Sequence, residues 1–190
     1  MTEIKSRMKI IEEALSDYQL GGKGTSVPRV ELACLQMRKV YELVVFAGLT
    51  ANVKRYSVIR KRFEKEWNLK DIVRQIKSFN PNFLPIAFKD EIPKAEGEIL
   101  NMSEKDGLMF TPEKIIQSHG RFGNILHAQN PYAASENYKT WAKEVIECAN
   151  EVVSILSNHI VVVEPDEIIY RVSLSAGPEK AVDVATMVAI

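Results

Sequence analysis

Along the first nineteen residues the apolar side chains fall at Ile4, Met8, Ile11, Leu15 and Tyr18. Steps of four and three place them on one side of a helix of about four turns, so the pattern predicts an amphipathic first helix. LGGKGTSVP, residues 20–28, breaks it. Pro28 suits the first turn of a second helix, where its missing N–H costs little. No further proline occurs before Trp67, so one long helix or two helices meeting near Gly48 both fit. A shorter helix follows in WNLKDIVRQIKSF, with Ile72, Ile76 and Phe79 as its apolar stripe. Asn80-Pro81 ends it, because a residue before proline is pushed out of the helical region.

Residues 81–110 carry scattered charge, prolines and glycines and read as a long connection. Thr111 and Glu113 flank Pro112 at the start of a further helix, which the pattern carries through IIQSHGRFGNILHA to a stop at Asn130-Pro131. Ser135 is placed to cap the last helix, whose core stripe is Trp141, Val145, Cys148, Val152 and Ile155. After His159 the texture changes. HIVVVEPDEIIYRVSL and AVDVATMVAI are β-branched runs interrupted by turn residues, which predict two or three antiparallel strands. The expected fold is therefore mainly α: a helical bundle of four to six helices over residues 1–158, with a small C-terminal antiparallel β-meander over 159–190 packed on the same domain.

Composition narrows the function classes. The 190 residues hold 25 basic and 25 acidic side chains, so no global field draws the chain to nucleic acid or an anionic membrane. The N-terminus is charged from residue 3 onward, unlike a signal peptide, and no apolar run approaches the roughly 20 residues that span a bilayer. Cys34 and Cys148 are the two cysteines, neither in a CxxC, which fits a reduced cytoplasm and argues against a disulfide framework or a zinc site. On a helix the eight-residue interval from His119 to His127 spans roughly 12 Å, too far for two ligands of one zinc ion. GGKGTS, residues 21–26, lacks the GxxxxGK[ST] spacing and follows a helix where a phosphate loop follows a strand. No cofactor or metal is expected.

Charge is uneven locally. Between Asn52 and Lys77 nine basic side chains, Lys54, Arg55, Arg60 and Arg62 among them, face three acidic ones, an excess of six in a chain of zero net charge. Tyr56, Phe63 and Trp67 interleave with them. Such a stretch suits the backbone of RNA with aromatic rings stacking on bases, or else a solvated helix face with its rings turned inward.

One segment combines a phosphate-gripping group with a proton-transfer group. In HGRFGNILHAQNPY, residues 119–132, Arg121, Asn124 and His127 recur at steps of three and form a slowly turning stripe on a helix. Guanidinium binds phosphate by two-point contacts, and imidazole moves protons near neutrality. Gly120 and Gly123 each cost a helix roughly 1 kcal/mol relative to alanine, which suggests close approach of another backbone or a ligand.

Arg121-FGNIL-His127, late in a helical chain, resembles the signature of the HEPN superfamily (higher eukaryotes and prokaryotes nucleotide-binding), an arginine followed after four to six residues by a histidine. Many members carry a polar residue directly after the arginine, where this chain has Phe122; Asn124 stands ready for that polar role. The resemblance implies a metal-independent endoribonuclease of toxin or defence type, working as a homodimer that brings two Arg/His pairs together, with an antitoxin or other partner protein. His127 would then be general base or acid, Arg121 would stabilise phosphoryl charge, and Asn124 would orient substrate or histidine. Two other readings stay open: a non-catalytic HEPN-like module that binds RNA, a nucleotide or a protein through the same groove, and a structural or interaction protein in which residues 119–130 are a packed helix end.

Overall fold

Helix α1 (Thr2–Gln19) forms on its apolar stripe: Ile4, Ile11 and Leu15 are buried, Met8 and Tyr18 half-buried. The computed structural model describes residues 1–19, 26–51, 68–89, 104–128, 132, 137–164, 168–174 and 182–187. Among these residues the chain is mainly helical with a small antiparallel sheet. Helix α2 (Val27–Ala51) opens as Pro28 requires, with Ser26 contributing its carbonyl to the first turn, and runs through Gly48 without a break. Helix α3 (Leu69–Phe79) is capped by the Asn68 side chain, which accepts from Lys70 N–H at 3.0 Å. It ends at Asn80 as the Asn-Pro pair dictates. Asn80 also does more: buried at the helix end, it donates from Nδ2 to the Val162 carbonyl at 2.9 Å and accepts from Asn82 N–H.

Residues 81–110 are not merely a connection. They contain strands β1 (Ile86–Phe88) and β2 (Glu104–Met109), which pair antiparallel. Three residues give β1 too little length to show alternation, and Gly107 and three charges disguise β2. Strands β3 (Asn158–Glu164), β4 (Ile168–Leu174) and β5 (Val182–Met187) complete a five-stranded sheet of order β2-β1-β3-β4-β5.

Helix α4 (Pro112–Asn124) begins at Pro112 as expected but stops earlier than the Asn130-Pro131 signal implies. Leu126 and His127 N–H close turns onto Gly123 and Asn124 carbonyls instead. Two glycines within one turn weaken the helix, and Asn124 is a residue comfortable at helix ends. Helix α5 (Tyr138–Leu156) is capped by Asn137, whose side-chain oxygen accepts from Lys139 and Thr140 N–H; Ser135, the expected cap, lies outside the described residues. Its stripe is buried at Trp141, Val145, Val152 and Ile155, with Cys148 half-buried.

The chain divides into two compact units, one of residues 1–43 and 113–151, the other of 44–112 and 152–190. The first is built from α1, the N-terminal part of α2, α4 and most of α5. The second holds the sheet, α3 and the C-terminal ends of α2 and α5.

Within the second unit Gly48 lies against Phe83. A Cβ at Gly48 would stand 2.6 Å from the Phe83 carbonyl oxygen and 2.9 Å from its ring, closer than real Cβ atoms come. Because the nearest atom is backbone, Gly48→Ala is expected to sit at the upper end of the about 1–3 kcal/mol that overpacking costs. Alanine returns about 1 kcal/mol of helix propensity. The net loss of about 2 kcal/mol should lower the thermal midpoint by roughly 4–8 °C, and an unchanged midpoint would show that α2 can move off Phe83.

His159, on β3, is fully buried, with Nδ1 3.0 Å from the Leu156 carbonyl and Nε2 without a protein partner among the described residues. Burial pushes its pKa down from 6.5 to about 4, against the opposing pull of the Leu156 bond. A depressed histidine binds protons more readily in the unfolded chain, so its contribution is intact above pH 6.5 and is lost as pH falls towards 4. The shift corresponds to about 3 kcal/mol. Urea midpoints should therefore decline between pH 6.5 and 5, above the range where carboxylates titrate, and a flat profile there would show that the ring is not held neutral.

Candidate functional site

Local chain direction sorts the 121–127 segment into two sets. Phe122 and Gly123 on α4 and Ile125 on the following turn are buried, whereas Arg121, Asn124 and His127 are exposed. Arg121 and Asn124 stand on the last turn of α4, and His127 lies beyond its end. The expected helical stripe is thus corrected in one respect: His127 is carried by a turn, and its approach to the other two is set by that turn and not by helical periodicity.

Arg121 is held by two residues of α5. Its Nε donates to the Glu144 carboxylate, and its guanidinium lies over the Trp141 ring, 4.4 Å from the centroid. Trp141 also packs on Phe122, with centroids 6.4 Å apart and planes tilted by 56°. One aromatic ring therefore supports both the buried and the exposed member of the Arg-Phe pair. A half-exposed ion pair contributes little to stability by itself, so the ring contact matters more for fixing where the guanidinium sits.

A second polar cluster lies nearby in sequence and was not distinguished by pattern. His119 Nε2 is 2.9 Å from a Glu42 carboxylate oxygen and 3.4 Å from Arg38 Nη2. Donation from Nε2–H to Glu42 is the arrangement that suits the shorter contact and leaves Nδ1 as the ring's acceptor when neutral. The His119 hydrogen bond in turn holds the Glu42 carboxyl below its usual value, against the opposing effect of burial. Arg38 and Glu42 are four apart on α2, and His119 and Gly123 four apart on α4. A Cβ at Gly123 would lie 2.6 Å from Arg38 Nη1, so the guanidinium lies close against α4 at this glycine and its flexible end would have to shift to admit a side chain. The i, i+4 spacing of both pairs was the available signal, and it becomes informative only once α2 and α4 are known to be neighbours.

The remaining sequence candidates are quickly placed. Lys54, Arg55, Arg60 and Arg62 lie outside the described residues. Burial pushes the Cys34 thiol up to about 12 and raises Cys148 also, so both are thiols at neutral pH and poor nucleophiles. Among the described residues there is no group of three or more histidine, cysteine or acidic side chains that could hold a metal ion, and no helix is long and apolar enough to cross a membrane. No known family model, no curated protein and no solved structure matches this chain.

Proposed function

We propose that this chain is an HEPN-like RNA-binding protein that cleaves RNA without metal, using Arg121, Asn124 and His127. The observation that carries the reading is the sorting of the segment: its three polar members face solvent while Phe122, Gly123 and Ile125 between them are buried. A segment serving only to pack a helix end has no need to expose all of its phosphate- and proton-handling groups. In this reading the helices of residues 1–43 and 113–151 form the family's bundle, and strands β3–β5 are an addition to it.

The chemistry follows from the residue types. His127 takes the proton from a ribose 2′-hydroxyl as that oxygen attacks the adjacent phosphorus, or in its protonated form delivers one to the departing 5′-oxygen. Arg121, preorganised by Glu144 and Trp141, stabilises charge on the non-bridging oxygens. Asn124 orients the substrate. The products are a 2′,3′-cyclic phosphate and a 5′-hydroxyl. A homodimer would supply the second histidine, so that base and acid act at once. The basic stretch containing Lys54, Arg55, Arg60 and Arg62 would guide the RNA backbone, a contribution that weakens as salt rises. Toxin or defence activity in the cytoplasm, restrained by an antitoxin or other partner protein, is the setting that fits such a nuclease.

One observation favours a second reading, a non-catalytic interaction or structural module. Arg121 is engaged by Glu144 and Trp141, and a guanidinium so occupied can serve packing alone. Cleavage of mixed cellular RNA in EDTA separates the two. The nuclease reading expects fragments ending in cyclic phosphate from the wild type, and their loss in Arg121→Ala with partial retention in Arg121→Lys. Absence of cleavage by the wild type would leave the module reading.

A further inference from the structure

Two guanidinium groups flank helix α4. Arg121 lies on the side of α5, where Glu144 and Trp141 hold it. Arg38 reaches the other flank from α2, and its Nη1 comes so near that a Cβ at Gly123 would stand 2.6 Å from it. At about 100° per residue, His119 and Gly123 share this second flank, Arg121 faces away from it, and Gly120 and Asn124 fall between. Gly120 and Asn124 are exposed, and a Cβ at Gly120 would meet nothing within 4 Å among the described residues. The open strip of α4 is thus bare backbone and one short polar side chain, with a cation on either side.

The two cations are provided for differently. Arg121 has the Glu144 carboxylate, whereas Arg38 pairs with no carboxylate and donates to no carbonyl among the described residues. Its one close contact is His119 Nε2, at 3.4 Å. That nitrogen lies 2.9 Å from Glu42 Oε1, and an Nε2–H given to Glu42 leaves no lone pair for Arg38. Glu42, four residues along α2, is therefore taken up by His119, whose hydrogen bond is the chief cause of its lowered pKa, ahead of Lys39 and Arg38. A cation near a helix C-terminus often serves the last carbonyls, and Arg38 makes no such bond. Arg38 is half-buried, and none of its nitrogens is both sealed from solvent and unpartnered. The guanidinium is brought to α4, its neighbouring carboxylate is diverted, and its donors are left for an acceptor from outside the chain.

We infer that Arg38 binds a backbone phosphate of a single-stranded nucleic acid, beside the phosphate gripped by Arg121, with the strand crossing α4 over Gly120. This rests on the RNA-binding part of the proposed function and adds a subsite to it. Guanidinium takes phosphate oxygens by two-point contact. A helix with its side chains is about 10–12 Å across, so cations on opposite flanks each take their own phosphate, and a polymer with one charge per residue supplies both. Gly120 leaves room for the strand between them. The Glu42–His119 pair acts as the positioning element, keeping the carboxylate off Arg38.

A fluorescent single-stranded DNA oligonucleotide tests the subsite apart from catalysis, because it lacks the 2′-hydroxyl that the proposed cleavage requires. Arg38→Ala is expected to weaken its binding about tenfold and to reduce the slope of log affinity against log salt by about 0.7, the value of one phosphate contact on a single strand. Gly123→Ala keeps Arg38 but displaces its guanidinium, and should lose affinity in the same direction, so a folding fault in one variant does not decide the outcome. Arg29→Ala, which removes an α2 cation paired with Asp17, should bind as the wild type does. The His119 ring resonances should shift on adding oligonucleotide to the wild type and stay in place in Arg38→Ala. A wild type that binds no oligonucleotide overturns the inference, as does an Arg38→Ala variant of wild-type affinity and salt slope, even where RNA is cleaved. Ring resonances that respond to inorganic phosphate and not to oligonucleotide overturn it in favour of a small phosphate ligand. Binding through Arg38 with no RNA cleavage in EDTA sustains the subsite and removes the nuclease chemistry.

Discussion

If the chain cleaves RNA as proposed, His127→Ala is expected to lower that metal-free cleavage by about a hundred- to ten-thousand-fold while leaving folding almost untouched. The first half follows from what a positioned general acid or base contributes to proton transfer, equivalent to roughly 3–5 kcal/mol of transition-state stabilisation. The second follows from position. His127 is exposed, sits beyond the end of α4, and makes no side-chain hydrogen bond or ion pair among the described residues; its backbone N–H makes the turn contact to Asn124 and is retained in alanine. Exposed substitutions of this kind change stability by no more than about 0.5 kcal/mol. Rates measured under single-turnover conditions in EDTA, with urea unfolding of the same preparations, check both halves. Cleavage that persists in the variant removes His127 from the mechanism. A loss of activity accompanied by a matching loss of stability would make the histidine structural. Arg121→Ala is a less clean test, because it also removes the partner of Glu144 and the cation over Trp141.

How far the sequence discloses this arrangement depends on the range of the interactions involved. Helices α1, α3 and α5 are legible because each carries a periodic stripe and a local boundary signal: the break after Gln19, the Asn80-Pro81 pair, a polar residue ahead of α5. Even so the cap is Asn137 and not the expected Ser135, since both are capping types and sequence alone does not say which one meets the free N–H groups of Lys139 and Thr140. β1 and β2 are illegible for a different reason. Their stability comes from neighbours: Ile86 pairs with both Met109 and Ile160, and a three-residue strand has no period of its own. The premature end of α4 is intermediate. Gly120 and Gly123 announce a weak helix, but the burial of Ile125 that the turn permits belongs to tertiary packing.

The candidate site divides along the same line. Arg121, Asn124 and His127 can be picked out from spacing and chemistry, which are local. Their supports cannot: Glu144 and Trp141 lie more than a helix away, and Arg38, Glu42 and His119 join residues separated by about eighty positions. Nothing in the spacing of Arg38 and Glu42 marks them until α2 and α4 are neighbours. Gly123 is a further trace of that contact, a glycine within a helix against which the Arg38 guanidinium lies.

Phe122→Ala should have the opposite profile to His127→Ala, destabilising the chain strongly and, on the proposed nuclease reading, sparing cleavage in whatever fraction remains folded. Its side chain is fully buried against Trp141, and truncating a core phenylalanine costs about 3–5 kcal/mol. For a chain of this size the thermal midpoint should fall by roughly 6–20 °C. The position follows the arginine of the motif this segment resembles, and a polar side chain there would lie in the core without compensation. Asn124 is exposed on the same last turn and is free of that constraint. Phe122→Leu, which keeps most of the volume, should lose much less stability than Phe122→Ala, and Phe122→Asn should lose at least as much as alanine. If Phe122→Asn is instead tolerated and raises cleavage, the proposal that Asn124 takes the polar role fails.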